Sequence, residues 1–128
     1  MADEQLEFPI EEIPDVDSVF MRAHRDHFRG GNLRPGVFRA RDGGMSVDWN
    51  KYATPEDTRL RAKKPMDNAV IDMTAGKIRA HAALAVNHTP QTSNQAHSDV
   101  ILPANDEDLT EARIKLGRIS TIAIPLEN

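Results

Sequence analysis

Val37–Trp49 reads VFRARDGGMSVDW, two short runs of alternating character on either side of Asp-Gly-Gly. In the first run Val37, Arg39 and Arg41 fall on one face of an extended chain, and Phe38 and Ala40 on the other. In the second, Met45, Val47 and Trp49 alternate with Ser46 and Asp48, the pattern of a half-buried strand. The glycines supply the positive-φ positions that a tight turn needs. Strand, DGG, strand is the best hairpin signal in the chain.

The flanking sequence divides into short elements. SVFMRAH, Ser18 to His24, holds β-branched and aromatic residues and predicts a first strand. FRGGNLRPG follows as a loop. TPEDTRLRAKKP predicts a helix with Thr54 as cap, Pro55 in the first turn and Asp57 closing a capping box. Pro65 stops it, and Leu60 and Ala62 are expected to touch the core. NAVIDM, Asn68 to Met73, suits a central strand. TAGKIRAHAALAV predicts a second helix with Thr74 as cap and Ala75, Ile78 and Ala82 on one face, running into a strand over Ala83 to Val86. DVILP is a further strand. NDEDLTEARIKLG predicts an amphipathic helix with Asn105 as cap, a Leu109, Ala112 and Leu116 stripe, and Gly117 just past its end. RISTIAIPL closes the chain as a strand or docked tail. The order implies an α+β fold: a single small domain in which a short mixed or antiparallel β-sheet packs with about three helices.

Bulk properties bound the function. A chain of 128 residues predicts one domain, and a mean hydropathy of −0.54 is low enough that part of it is expected to lie outside the packed core. Residues 1–17 carry seven acids and no base, with Pro9 and Pro14 among spaced apolar residues, which predicts an extended acidic arm ahead of a domain over 18–128. Residues 22–64 carry eleven Lys or Arg against five acids. Docking of the arm on this arginine-rich segment is the natural expectation. Cysteine is absent, which excludes disulfides, thiolate nucleophiles and Cys-based zinc sites. No apolar run is long enough to span a membrane and the N-terminus lacks a basic n-region and an apolar h-region, so the expectation is a soluble, cytoplasmic protein with no membrane partner.

Four constellations could carry chemistry. His24 and His27 share a basic segment, yet after a strand their spacing points them to opposite faces, and no HExxH pattern or nearby third ligand supports a metal. NHTPQTSNQAHSDV, Asn87 to Val100, holds His88-Thr89 and His97-Ser98 nine positions apart. The two histidines could act as acid and base on a phosphate-containing substrate, or could flank a polar hairpin loop. His97-Ser98-Asp99 has the residue types of a triad, but consecutive residues cannot orient one another as triad members must. Thr74-Ala75-Gly76-Lys77 opens a helix where an anion could sit, without the glycine spacing of a P-loop or a dinucleotide fingerprint. No cofactor follows from any of these.

The residues VFRARDGGMSVDW, AVIDMTAGKIRAHAALAVNHTP and NQAHSDV together resemble a set of short, uncharacterised bacterial proteins of unknown function. The likeness spans roughly Val19 to Leu102. It implies a bacterial single-domain protein and nominates Arg39, Ser46, Thr74, Arg79, His88 and His97 as one surface. The Arg, Gly-rich turn and Ser of the first stretch also resemble ADP-ribosyltransferase-like folds, which read a nicotinamide dinucleotide, although the Glu-centred motif of those folds is not evident.

Two functional readings follow. The first is a cytosolic accessory or binding protein whose arginine-rich face, with Arg22, Arg25, Arg39, Arg41 and Arg79, meets nucleic acid or an acidic protein partner. The second is a small metal-independent enzyme, nuclease-like or NAD-using, with His88, His97 and Ser46 in its site. The sequence allows a homo-oligomer in either case.

Overall fold

The computed structural model describes residues 8–41 and 43–127. Its strands are β1 (Ser18–His24), β2 (Phe28–Arg29), β3 (Asn32–Leu33), β4 (Met45–Trp49), β5 (Asn68–Thr74), β6 (Ala85–His88), β7 (His97–Ile101) and β8 (Thr121–Ile124). Its α-helices are α1 (Pro55–Leu60), α2 (Ala75–Arg79) and α3 (Asp106–Ile119). Six strands form one antiparallel sheet in the order β6-β7-β4-β1-β5-β8, and β2 with β3 makes a separate two-stranded ribbon. This is an α+β domain, as the element order implies.

The β1–β5 pair runs seven residues without a break, from Ser18↔Thr74 to His24↔Asn68. Strand alternation sends Val19, Met21, Ala23, Ile71 and Met73 to one face, where they join Val47, Trp49, Val86 and Val100 in the main core. Ala75 and Ile78 of α2, and Ala112 and Leu116 of α3, cover that face. α1 lies on the opposite face, over β1 and β5, and leaves the β4–β7 side of that face open.

Val37–Arg41 is not a strand. Pro35–Val37 forms a 3₁₀ turn in which the Val37 and Phe38 amides donate to Arg34 and Pro35 carbonyls, both at 3.1 Å. Pro35 sets φ for that turn, and the turn buries two adjacent side chains, Val37 and Phe38, which a strand would send to opposite faces. Arg113 of α3 holds it from above by donating Nε to the Phe38 carbonyl at 2.7 Å. The turn itself survives as an isolated Arg41–Gly44 bridge with Gly43 at φ 90°. β4 takes β1 and β7 as neighbours instead.

The helices differ in length and facing. Thr54 and Asp57 make the full capping box, but α1 ends at Leu60, which is 60% exposed. The side chains it buries are Thr58 and Arg59. Arg59 is only 7% exposed and donates to the Pro65 carbonyl and to Glu127, so it joins the C-terminal tail to α1. α2 stops at Arg79, leaving Ala82 exposed, and Thr74 caps it without a side-chain hydrogen bond. α3 runs through Gly117 to Ile119.

Residues 8–17 dock partly on the arginine-rich segment, through Trp49, Lys51 and Tyr52 rather than its arginines, and partly on the core and on Arg79 beyond it. Ile13 is 1% exposed within the main core. Arg79 donates to the Ile13 carbonyl at 2.6 Å and to Asp15 at 2.8 Å, and the Trp49 indole donates to Asp17 at 2.9 Å. The Glu11 carboxylate meets Lys51 and Tyr52. Residues 1–7 of the expected arm lie outside the described residues. Ile13→Ala should therefore cost about 2–5 kcal/mol in urea unfolding, the range for a buried large-to-small change. An unchanged midpoint would show that the docked segment contributes nothing to the fold.

Candidate functional site

NHTPQTSNQAHSDV is the β6–β7 hairpin, with Ala85↔Ile101 through His88↔Ser98 in register. Residues opposite one another share a face, so His88 lies with Ser98 and His97 lies on the other side. The two histidines therefore do not converge. His88 is 2% exposed, packed edge-on to Trp49 and stacked on Tyr52. Its Nδ1 accepts from the Glu11 amide at 3.0 Å, and its Nε2 donates to the Gln95 carbonyl at 2.8 Å. A carbonyl only accepts, so the ring is the neutral Nε2–H tautomer with both nitrogens used. His88 holds the docked N-terminal segment and the hairpin loop together.

His97 faces a cleft of about 600 Å³ on the side of the sheet opposite the main core. β1 contributes Phe20, Arg22 and His24, β4 contributes Ser46 and Asp48, and β7 contributes His97. Arg39 and Arg41 enter from the chain before β4, Arg61 from the end of α1, and Asn94 from the hairpin loop. Among the described residues the lining holds four arginines, three histidines and one carboxylate, Asp48.

That carboxylate is 5% exposed and fully occupied by its neighbours. Its two oxygens accept from Thr58 Oγ1 and Asn94 Nδ2, each at 2.8 Å, with Arg61 Nε 3.7 Å away. The Thr58 carbonyl in turn accepts from Arg22 Nη1 at 3.1 Å, which fixes the base of that side chain's guanidinium over the cleft. The floor of the cleft is thus rigid, and its open charge is positive.

Of the five arginines nominated from sequence, Arg22, Arg39 and Arg41 line this cleft. The other two serve internal contacts. Arg25 clamps Asp67 and the Met66 and Glu127 carbonyls, and Arg79 pins Ile13, Asp15 and the Val86 carbonyl. Thr74 lies across the sheet from Ser18 and outside the lining. Reading the sequence missed Arg61, and it set His24 and His27 aside as facing opposite ways, whereas both line the cleft because His27 lies in a 3₁₀ turn after β1. The i, i+2 spacing of Arg22 and His24 on β1 is a signal that could have found His24, whereas nothing near Arg61 marks it. Among the described residues no three His, Asp or Glu side chains converge as metal ligands do.

His97 is held on both sides. Its Nδ1 lies 3.0 Å from the Thr89 carbonyl, so that nitrogen carries the ring proton. Its Nε2 lies 3.2 Å from Ser46 Oγ.

Burial, reinforced by the charges of Arg39 and His24, holds His27 below the ordinary imidazole range. The depressed value means that His27⁺ disfavours the fold as pH falls below the value in the unfolded chain, and that a bound anion offsets the Arg39 and His24 charges but not the burial. In a two-dimensional NMR titration His27 should titrate below about 6.5, and move upward both with added inorganic phosphate and in Arg39→Gln. A midpoint unmoved by either would remove the cationic cluster from the account. In comparisons with known proteins, no family model matches the chain, and neither the curated proteins nor the solved structures contain a match.

Proposed function

We propose that this chain is a binding protein for a phosphate-bearing ligand, held in the arginine-lined cleft by Arg22, Arg39, Arg41 and Arg61. The observation that carries the reading is the excess of guanidinium over carboxylate in one concave site, with its single carboxylate already hydrogen-bonded. A guanidinium fork meets two phosphate oxygens at once, and a concave wall desolvates that contact more than a flat surface does. A cleft of about 600 Å³ suits a nucleotide-sized group, whether free or part of a strand. Among the described residues the only Phe, Tyr or Trp side chain in the lining, Phe20, is buried, which favours phosphate contact over stacking on a large aromatic ring as the recognition chemistry.

The proposal extends to setting. The absence of cysteine favours a reducing compartment, and no helix among the described residues is long and apolar enough to cross a membrane. Together with the bacterial resemblance, these support an accessory role in a bacterial cytosol.

Fluorescence anisotropy with a labelled single-stranded oligonucleotide, a labelled mononucleotide and a labelled poly-glutamate peptide tests the reading and separates its sources. Binding of either nucleotide probe should weaken with salt. For a strand, each arginine removed from Arg22, Arg39 or Arg41 should flatten the log–log salt slope by about 0.7. Preference for the poly-glutamate peptide would hand the cleft to an acidic protein partner. Full affinity in the triple Gln variant would remove the cleft from binding altogether.

A second reading, a metal-independent enzyme acting on a phosphate-containing substrate, is favoured by one observation, the contact between Ser46 and His97. His88 is not available to it.

A further inference from the structure

Anion binding accounts for the arginines of the cleft but not for the hydroxyl–imidazole pair at its rim. Ser46 is exposed on β4, and His97 sits diagonally from it on β7, where Ser46↔Asp99 and Asp48↔His97 are the cross-strand partners. Ser46 Oγ lies 3.2 Å from His97 Nε2. On the far side of the ring, the Thr89 carbonyl lies 3.0 Å and the Thr89 hydroxyl oxygen 3.1 Å from Nδ1. The Thr89 hydroxyl spends its own proton on Asp99 Oδ2 at 2.9 Å, so its lone pairs are left to face Nδ1–H.

Those contacts settle the direction of the chain. The proton on Nδ1 leaves the lone pair of the neutral ring on Nε2, pointed at the serine hydroxyl. A nucleophile within reach of a base, and a base oriented by a third group, is the arrangement that activates serine. Gly44 helps to set it: a Cβ there would lie 2.7 Å from Asp99 Oδ1, so only glycine lets Asp99 occupy this position beside β4 unchanged. His97, Ser98 and Asp99 are consecutive and cannot form a triad by themselves, but Thr89, directly after β6, bridges His97 to Asp99.

We propose that Ser46 is a nucleophile toward phosphorus, with His97 as its general base and the Thr89–Asp99 pair as positioning residues. The substrate class, a phosphate ester, rests on the phosphate-binding reading of the cleft. In the first step the Oγ–P bond forms and the P–O bond to the leaving alcohol breaks. The serine proton passes to Nε2 and from there to the departing oxygen. In the second step His97 takes a proton from water, the new O–P bond forms, the Oγ–P bond breaks, and Oγ recovers the proton. The sum is ester plus water giving phosphate plus alcohol. Arg39 and Arg41 face the non-bridging oxygens, where charge is carried.

The test uses the full chain and a neutral fluorophosphonate probe, a phosphorus electrophile with fluoride as leaving group, read by intact mass and peptide mapping. One adduct on Ser46 is expected, absent in Ser46→Ala. Its rate should fall about 10²- to 10⁴-fold in His97→Gln, the usual range for a general base. In the unsubstituted protein the rate should also fall as acid protonates the imidazole, a readout that needs no variant. Labelling of Ser46 no faster than in urea-unfolded protein, or insensitive to both pH and His97→Gln, overturns the proposal. Oligonucleotide and mononucleotide binding is measured on the same sample. Labelling without binding keeps the nucleophile and removes the phosphate-ester substrate, and binding without labelling removes the nucleophile alone.

Discussion

The seven-residue ladder between β1 and β5 is the constraint on which the other elements depend. β5 is buried on both faces along most of its length and β1 is buried on both faces over Val19–Met21, so that part of the pair is covered from two sides. The main core takes one face, with α2, α3 and the docked N-terminal segment over it. α1 takes part of the other, burying Val70 and Phe20. Because α1 is only six residues long, it meets β4 through the Thr58–Asp48 hydrogen bond but leaves Ser46 and His97 open to the cleft. The cleft is the uncovered remainder of that second face, and the alternation of the strands decides which side chains stand in it.

A buried carboxylate organises that remainder. Asp48 would be costly in the interior by itself, but two neutral donors and a nearby guanidinium satisfy it. Its donors come from α1 and from the β6–β7 loop, so one side chain ties both walls of the cleft to the sheet. Deleting either hydrogen bond would leave a buried polar group unsatisfied, a loss of about 1–3 kcal/mol. This exceeds the worth of an exposed ion pair, about 0–1 kcal/mol. The walls of the cleft are therefore held by this buried hydrogen-bond network more than by its exposed charges.

The arginines sort by the same physics. Arg25, Arg59 and Arg79 each bond backbone carbonyls as well as carboxylates, and they hold chain segments that have no ladder of their own. Arg59 and Arg25 secure the C-terminal tail, and Arg79 secures the N-terminal segment. An arginine-rich composition thus divides between internal struts and a cleft-lining set, and only contact geometry tells one from the other. The acidic residues divide likewise. Glu11 is held below the usual carboxylate range by hydrogen bonds from Lys51 and Tyr52, which belong to the arginine-rich stretch without being among its arginines.

Local chemistry in the sequence was enough for the α+β class, for β1, β4 and β5, and for the capping box of α1. It was also enough to identify Asn87–Val100 as a hairpin between two strands. Each follows from alternation, capping or turn residues acting within a few positions. The tertiary structure alone decided the rest. Val37 and Phe38 look like alternating strand residues, yet both are buried in a 3₁₀ turn and the residue after it, against which α3 packs. His88 and His97 look equivalent, yet their antiparallel register sums to an even offset with Ser98 rather than with each other, so one ring enters the core and the other the cleft. Arg61, Ser46 and Asp99 meet His97 or its neighbours only because β4, β7 and α1 are brought side by side across some 50 positions of chain. Side-chain periodicity is a property of the chain itself, whereas strand register and which face stays uncovered depend on packing partners that no local stretch contains.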